Sequence, residues 1–240
     1  MLQPFDLPEN IVLLITDESA SPADFLLHRI LYPPAKEQRQ PRCLVFSSLP
    51  NISRWKALAA KSNAQIVKGS SEPIIFVDML SEVHSQTDET AGADFRNLLD
   101  IASTNLSQLH ENSPLTVIVD ELSLLSWLGI SPSEIARFCR ALRAVCLKSK
   151  ANLIIRHHIV TPGEPDDLFR RIFQLCSYHL DDKPLASGKS GSVSGEVALH
   201  SGPNAPLKGT RVFSRSSALQ YRLTETGVIF FERGTSSGVL

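Results

Sequence analysis

The amino-acid sequence predicts an α/β protein, a mostly parallel sheet flanked by helices with antiparallel strands added at the C-terminal end. Three observations predict it. Short runs of uninterrupted apolar residues, the pattern of strands buried on both faces, alternate with segments whose apolar residues recur at helical spacing. Near Asp181 the helical spacing stops, and Gly, Ser and Pro punctuate short alternating segments from there on. The chain has 240 residues, 42% hydrophobic and 20% charged, which is enough to build a sizeable core and excludes general disorder.

The elements follow in order. Residues 11–16 (IVLLIT) form a buried strand, and residues 22–32 a helix with Phe25, Leu26, Ile30 and Leu31 inward, stopped by Pro33-Pro34. Residues 43–46 (CLVF) are a second buried strand. Residues 51–62 read as a helix with Ile52, Trp55 and Leu58 on one face, and residues 73–77 (PIIFV) as a third strand. The polar stretch 81–91 has nothing to bury and reads as an exposed loop. Residues 95–109 form a helix, residues 115–119 (LTVIV) the clearest central strand, and residues 122–128 an apolar segment. Ser131-Pro132-Ser133-Glu134 is a helix-start signal, with Ser131 as cap, Pro132 in the first turn and Glu134 reaching back to close a capping box. The helix it opens buries Ile135, Phe138, Cys139, Leu142 and Val145 and carries Arg137, Arg140 and Arg143 on its other face. Residues 152–155 are a fifth strand and residues 166–176 a further helix. Residues 196–200, 218–223 and 228–231 are short strands, the last two joined as a hairpin. The whole is expected to be one domain, with 1–182 as the α/β core and 183–240 as an antiparallel extension with basic loops.

The formal net charge is −1, so no global positive field marks a nucleic-acid binder. The charge is unevenly spread, however. Residues 183–222 contain Lys183, Lys189, Lys208, Arg211, Arg215 and Arg222 against Glu196 alone, in loops rich in Gly, Ser and Pro that suit a phosphate backbone. Cys43, Cys139, Cys146 and Cys176 form no CxxC pair, which points to reduced, buried thiols in a cytosolic or nuclear protein. The apolar run at 11–15 is far short of the ~20 residues of a membrane span, and the N-terminal flank lacks the basic start of a signal peptide, so an intracellular soluble protein is expected.

In an open α/β sheet, ligands gather at the carboxyl ends of the strands. Residues 115–119 run into Asp120-Glu121, an acidic pair that nucleotide hydrolases place beside Mg²⁺ and the attacking water, and that also occurs as a plain helix start. The companion phosphate loop is not found after the first strand. Asp17-Glu18-Ser19-Ala20-Ser21-Pro22-Ala23 offers no glycine, no lysine, and two carboxylates where phosphates would sit. Gly188-Lys189-Ser190 holds the right triplet without a following helix. His157-His158 is expected in a solvated loop, with no shared metal. No nucleophile elbow or zinc-protease motif is present, and no cofactor is expected.

The segment Val117–Gly129 (VIVDELSLLSWLG), the helix containing Phe138-Cys139-Arg140, the strand-loop residues 185–188 and 193–199, and the ending 220–223, 227–234 and 238–240 together resemble the family of the sixth subunit of the Elongator complex. The resemblance implies a RecA-like fold, of the P-loop NTPase type, without its phosphate loop. It makes Asp120 and Glu121 a degenerate Walker B position. It implies a non-catalytic place in a six-membered ring with two copies each of the fourth, fifth and sixth subunits. Such a ring binds tRNA, responds to ATP and docks on catalytic subunits that modify the wobble uridine. On that reading Lys183, Lys189, Lys208, Arg211 and Arg215 are expected to contact RNA. The competing readings are a stand-alone RecA/KaiC-like ATPase and an α/β adaptor without an RNA role.

Overall fold

A computed structural model describes residues 5–31, 42–48, 53, 55, 74–84, 93–107, 115–188, 190–206, 210–225 and 227–235. Its first strand, β1 (Val12–Asp17), is buried along its whole length. Successive side chains of a strand point to opposite faces. Val12 and Leu14 therefore enter one hydrophobic cluster, while Leu13 and Ile15 enter another on the far side of the sheet. This is why the sequence reads as an unbroken apolar run.

The other strands are β2 (Arg42–Ser47), β3 (Ile75–Asp78), β4 (Leu115–Asp120), β5 (Asn152–His158), β6 (Tyr178–Lys183), β7 (Gly195–Ser201), β8 (Leu219–Thr224) and β9 (Gly227–Phe231). Among the described residues they form one nine-stranded sheet in the order β3-β2-β4-β5-β1-β6-β7-β8-β9. Pairing is parallel from β3 across to β6 and antiparallel from β6 to β9. The α/β class and its antiparallel finish are as expected. Helix α1 (Asp24–Leu31) covers one face, against Leu13, Ile15 and Val45. Helices α2 (Met79–His84), α3 (Arg96–Ser107), α4 (Ser123–Trp127), α5 (Pro132–Lys148) and α6 (Asp167–Phe173) cover the other.

Helix α5 begins as its sequence dictates. The Ser131 hydroxyl accepts the Glu134 N–H, and the Glu134 carboxylate accepts the Ser131 N–H, so two orphan donors of the first turn are satisfied reciprocally. Its cysteines, Cys139 and Cys146, face the core, and burial pushes both thiols up to about 12, as it does for Cys43 and Cys176.

Three local expectations need correction. Residues 81–84 lie in α2, not in a loop. Asp78 accepts the N–H groups of Leu80 and Ser81, while Met79 and Val83 supply an inward face that a polar composition concealed. His157 and His158 end strand β5 instead of lying in a solvated loop, and they point to opposite sides of the sheet. Strand β6 has the sequence YHLDDK and was not foreseen. Its acidic residues are accommodated by bonds to Ser21, Tyr221 and Arg215, so charge here does not mean exposure. The helix expected at 51–62 lies outside the described residues, apart from Ser53 and Trp55.

Two glycines permit close approaches that join the antiparallel strands to the core. A Cβ on Gly195 would meet Ser21 Oγ and Tyr221 OH at 2.7 Å, and one on Gly202 would meet the Cys176 carbonyl oxygen at 2.4 Å. The second obstacle is backbone and cannot rotate away. Gly202→Ala is expected to cost about 1–3 kcal/mol of stability. Gly191→Ala, with nothing within 4 Å, should stay within about 0.5 kcal/mol of the parent. Urea unfolding of the two variants checks this, and equal midpoints would contradict the packing described.

Candidate functional site

Because β5 lies between β1 and β4, the carboxyl ends of these three strands form one crevice under the N-terminus of α1. Arg156, near the end of β5, sends its side chain into it and is only 5% exposed. Nε and Nη2 lie 3.0 and 2.9 Å from Asp17 Oδ2, at the end of β1. Nη1 donates to Asp24 Oδ1 at 2.7 Å, in the first turn of α1, and to Asp120 Oδ1 at 3.1 Å, at the end of β4. Glu121 Oε2 is 3.5 Å from Nη2. A single guanidinium therefore holds four carboxylates contributed by β1, α1, β4 and the turn after β4.

The turn that presents Glu121 is held in the left-handed region, with φ of 58° at a non-glycine residue. It is fixed on its far side by the Leu122 N–H donating to the Arg156 carbonyl at 3.1 Å.

The two buried aspartates diverge. Burial works to raise Asp17, but the His158 hydrogen bond at 3.0 Å, the Arg156 charge and the Ala23 N–H at 2.8 Å hold it below its ordinary range. Asp120 is also buried, has fewer donors, and faces the charges of Asp24 and Glu121. Its carboxyl is pushed up to about 6. The His158 imidazole is raised by its hydrogen bond to Asp17, against the opposing effect of burial. Arg156 is raised by its carboxylates although burial opposes this, and it stays charged.

The RecA-type fold implies a nucleotide at this place, and the residues do not fit one. In a phosphate loop, free backbone N–H groups and a lysine face the phosphates. Here the loop between β1 and α1 closes on itself through the bridge of Glu18 with Ser21, and the Ala23 N–H is taken by Asp17. The protein's own carboxylate occupies the anion position, and Arg156 the cation position. A second polar cluster braces the same turn. Ser21 Oγ donates to Asp182 Oδ1 at 3.0 Å and lies 2.8 Å from Tyr221 OH, which donates to Asp182 Oδ2 at 3.1 Å. Burial lifts the Asp182 carboxyl well above the carboxylate range. Gly188 and Ser190 lie between β6 and β7, followed by a strand, while Lys189 is outside the described residues.

Of the expected RNA-contacting residues, Lys183 and Arg215 come together over Asp181, with Lys183 Nζ 3.5 Å from its carboxylate. Arg215 also reaches Glu196 at 3.5 Å. Arg211 lies over the Phe213 ring, 4.9 Å from its centroid. Lys189 and Lys208 lie outside the described residues.

Sequence reasoning missed a cleft of about 200 Å³ on the other face of the sheet, lined by Ser123, Trp127, Pro132, His157, Val160 and Asp166 among others. Trp127 and Val160 are 57% and 59% exposed, and Leu128 adjoins them. The residues are separated by 33 positions, so no single stretch signals the patch. Inside the cleft His157 Nε2 is 2.8 Å from Asp166 and Nδ1 is 3.2 Å from Ser123 Oγ. This is not a nucleophile site, because Ser123 Oγ is buried and accepts the His158 N–H at 2.7 Å. It straps α4 to β5.

The strand order and layers define a RecA-like fold. A crystal structure of a KaiC-like protein from Pyrococcus horikoshii matches it with a TM-score of 0.66 at 13% identity, covering 94% of this chain and 91% of that one. In sequence the chain is similar to Elongator complex protein 6 of Danio rerio, 29% identical over 159 residues, 62% of this chain and 57% of the relative. It is similar to the same protein of Xenopus laevis, 27% identical over 179 residues, 69% of this chain and 66% of the relative. The Mus musculus protein is 29% identical over 129 residues, 52% of this chain and 47% of the relative. The resemblance carried by the motifs is borne out by these relatives, of whose length this chain spans roughly half to two thirds. No family model matches the chain.

The crevice predicts a pH signature. Asp120 releases its proton near pH 6 in the folded chain, above its ordinary 3.8. The stability it contributes is therefore complete below about pH 4 and is lost as pH rises through about 6. Asp120→Asn removes that loss. The stability difference between variant and parent should shift in the variant's favour from pH 4 to pH 7, measured by urea unfolding. A flat difference, or one of opposite slope, would contradict the assignment.

Proposed function

We propose that this chain is a structural, non-catalytic subunit of an Elongator-type ring. The observation that carries the non-catalytic part is the crevice filled by Arg156 and its carboxylates. Displacing Arg156 to admit a nucleotide would leave Asp17 and Asp120 buried without their cation, a loss of about 3–5 kcal/mol. The similarity to Elongator complex protein 6 supports membership of that complex. On this reading the partners are the fourth and fifth Elongator subunits, two copies of each subunit in a six-membered ring. The ring holds tRNA for catalytic subunits that form carboxymethyluridine at the wobble position, U34.

The exposed Trp127, Leu128 and Val160 suit a subunit that works by assembly, since an exposed tryptophan is the kind of anchor that interfaces bury. Lys183, Lys189, Lys208, Arg211 and Arg215 are the proposed RNA contacts. Lys183 and Arg215 keep partial exposure while Asp181 orients them, which leaves donors for phosphate. No helix among the described residues is long and apolar enough to cross a membrane, and we place the complex in the cytoplasm or nucleus.

Native mass tests the proposal. Co-expression with the fourth and fifth Elongator subunits should give a particle containing two copies of each, and Trp127→Ala should weaken it. Within that particle, alanine at the five basic positions should weaken tRNA binding and reduce its salt dependence. A chain that stays outside any particle with those partners would overturn the proposal.

A further inference from the structure

Among the described residues, helix α5 presents a group of positive charge that no ion pair offsets. Arg137, Arg140, Arg143 and Lys148 lie on it, and Lys150 follows its end. Its single carboxylate, Glu134, is committed to the capping box at Ser131. The opposite face, Ile135, Phe138, Cys139, Leu142 and Cys146, is locked into the core, so the helix cannot rotate to hide its cations. Arg137, Arg140, Lys148 and Lys150 are exposed and Arg143 is half-buried. Among the described residues, none of these five forms an ion pair, whereas Arg156, Arg215 and Arg233 all do.

We infer that the outer face of α5, from Arg137 to Lys150, is a contact surface for the phosphate backbone of an RNA duplex. The inference rests on the tRNA-binding reading above and adds a second surface to it. At 1.5 Å of rise per residue, Arg137 to Lys148 covers about 16 Å, a length over which a duplex presents more phosphates than the stripe has cations. Guanidinium groups match phosphate oxygens in bidentate geometry. The exposed face of the helix carries no aromatic residue on which bases could stack, so contact falls on the backbone of a paired stem and not on splayed bases. A protein partner fits less well. Interface centres are poor in charge and rich in apolar anchors, and Leu147 is the single large apolar residue exposed along this helix. The stripe also shares a side of the sheet with Lys183 and Arg215. Helix α5 packs on the cluster against which Phe169 and Phe173 rest, these rings flank His179, and Asp181 and Lys183 follow His179 on the same side of β6.

The test compares the 240-residue chain with its Arg137→Glu/Arg140→Glu and Arg137→Lys/Arg140→Lys variants, alone and in the particle with the two partner subunits. The probes are an unmodified tRNA transcript, a 16-base-pair RNA duplex and a polyglutamate peptide, each titrated between 50 and 200 mM NaCl. The charge-reversed variant should keep the parent's melting temperature. It should bind both RNAs at least about tenfold more weakly at the lowest salt, with a salt slope reduced by about two. The lysine variant should keep the slope. If the reversed variant binds tRNA with the parent's affinity and slope, the stripe is not an RNA surface, although the ring reading stands. If the parent binds no tRNA in either form, both fall. If the stripe takes up polyglutamate and no RNA, the surface belongs to an acidic protein partner and the inference is overturned.

Discussion

The interaction on which the rest depends is the embrace of Arg156 by four carboxylates. It is possible because the strand order places β5 between β1 and β4, so a side chain near the end of β5 has a strand end on either side. Fully burying a guanidinium or a carboxylate alone is prohibitive, and burying them together is tolerable only when their hydrogen-bonding groups are matched. Here the donors reach Asp17, Asp24 and Asp120, and Asp17 receives further bonds from His158 and Ala23. The excess negative charge is relieved by two upward shifts, Asp120 toward the neutral acid and His158 toward the imidazolium. The cluster ties β1, β4, β5 and α1 together in the crevice that related folds keep open for ligands.

The antiparallel strands are joined to this core by polar contacts as much as by apolar ones. Asp182, Ser21 and Tyr221 form a closed set beneath Gly195, where no Cβ could fit, and Asp181 accepts from Thr16 and Arg215. This arrangement changes the meaning of the charge count along the chain. The late segment is basic in sequence, yet Lys183 and Arg215 lie over Asp181, and Glu196 receives both Arg215 and Arg233. Helix α5 is embedded in a segment that is acidic overall, yet among the described residues its arginines and Lys148 meet no such offset. A linear tally sees neighbours in sequence, whereas the field at the surface depends on neighbours in space.

Much of the fold was legible for physical reasons. Strands buried on both faces must be apolar throughout, so β1, β2 and β4 announce themselves, and the capping box of α5 is a local interaction complete within four residues. Strand β6 was hidden because its stabilisation comes from Ser21, Tyr221 and Arg215, remote in sequence. The site was half legible. Asp120-Glu121 and the unsuitable loop after β1 stood out, as did the two carboxylates in that loop. The role of Arg156 did not, because a lone arginine in the run Asn152–His158 gives no sign of four partners drawn from three other elements and the turn after β4. The exposed Trp127 and Val160 were likewise invisible as a patch until the fold brought them together.

These features converge on a protein that keeps a RecA-like fold and fills the crevice at its strand ends with its own side chains. Its proposed work is then done by surfaces, an apolar one at Trp127 and Val160 for neighbours and basic ones for RNA. The most direct test of that central claim is the melting temperature of the chain titrated with MgATP up to millimolar concentration. The account predicts no shift, because no nucleotide can enter without displacing Arg156. A melting temperature that rises with MgATP concentration, as specific binding to the folded state requires, would contradict it.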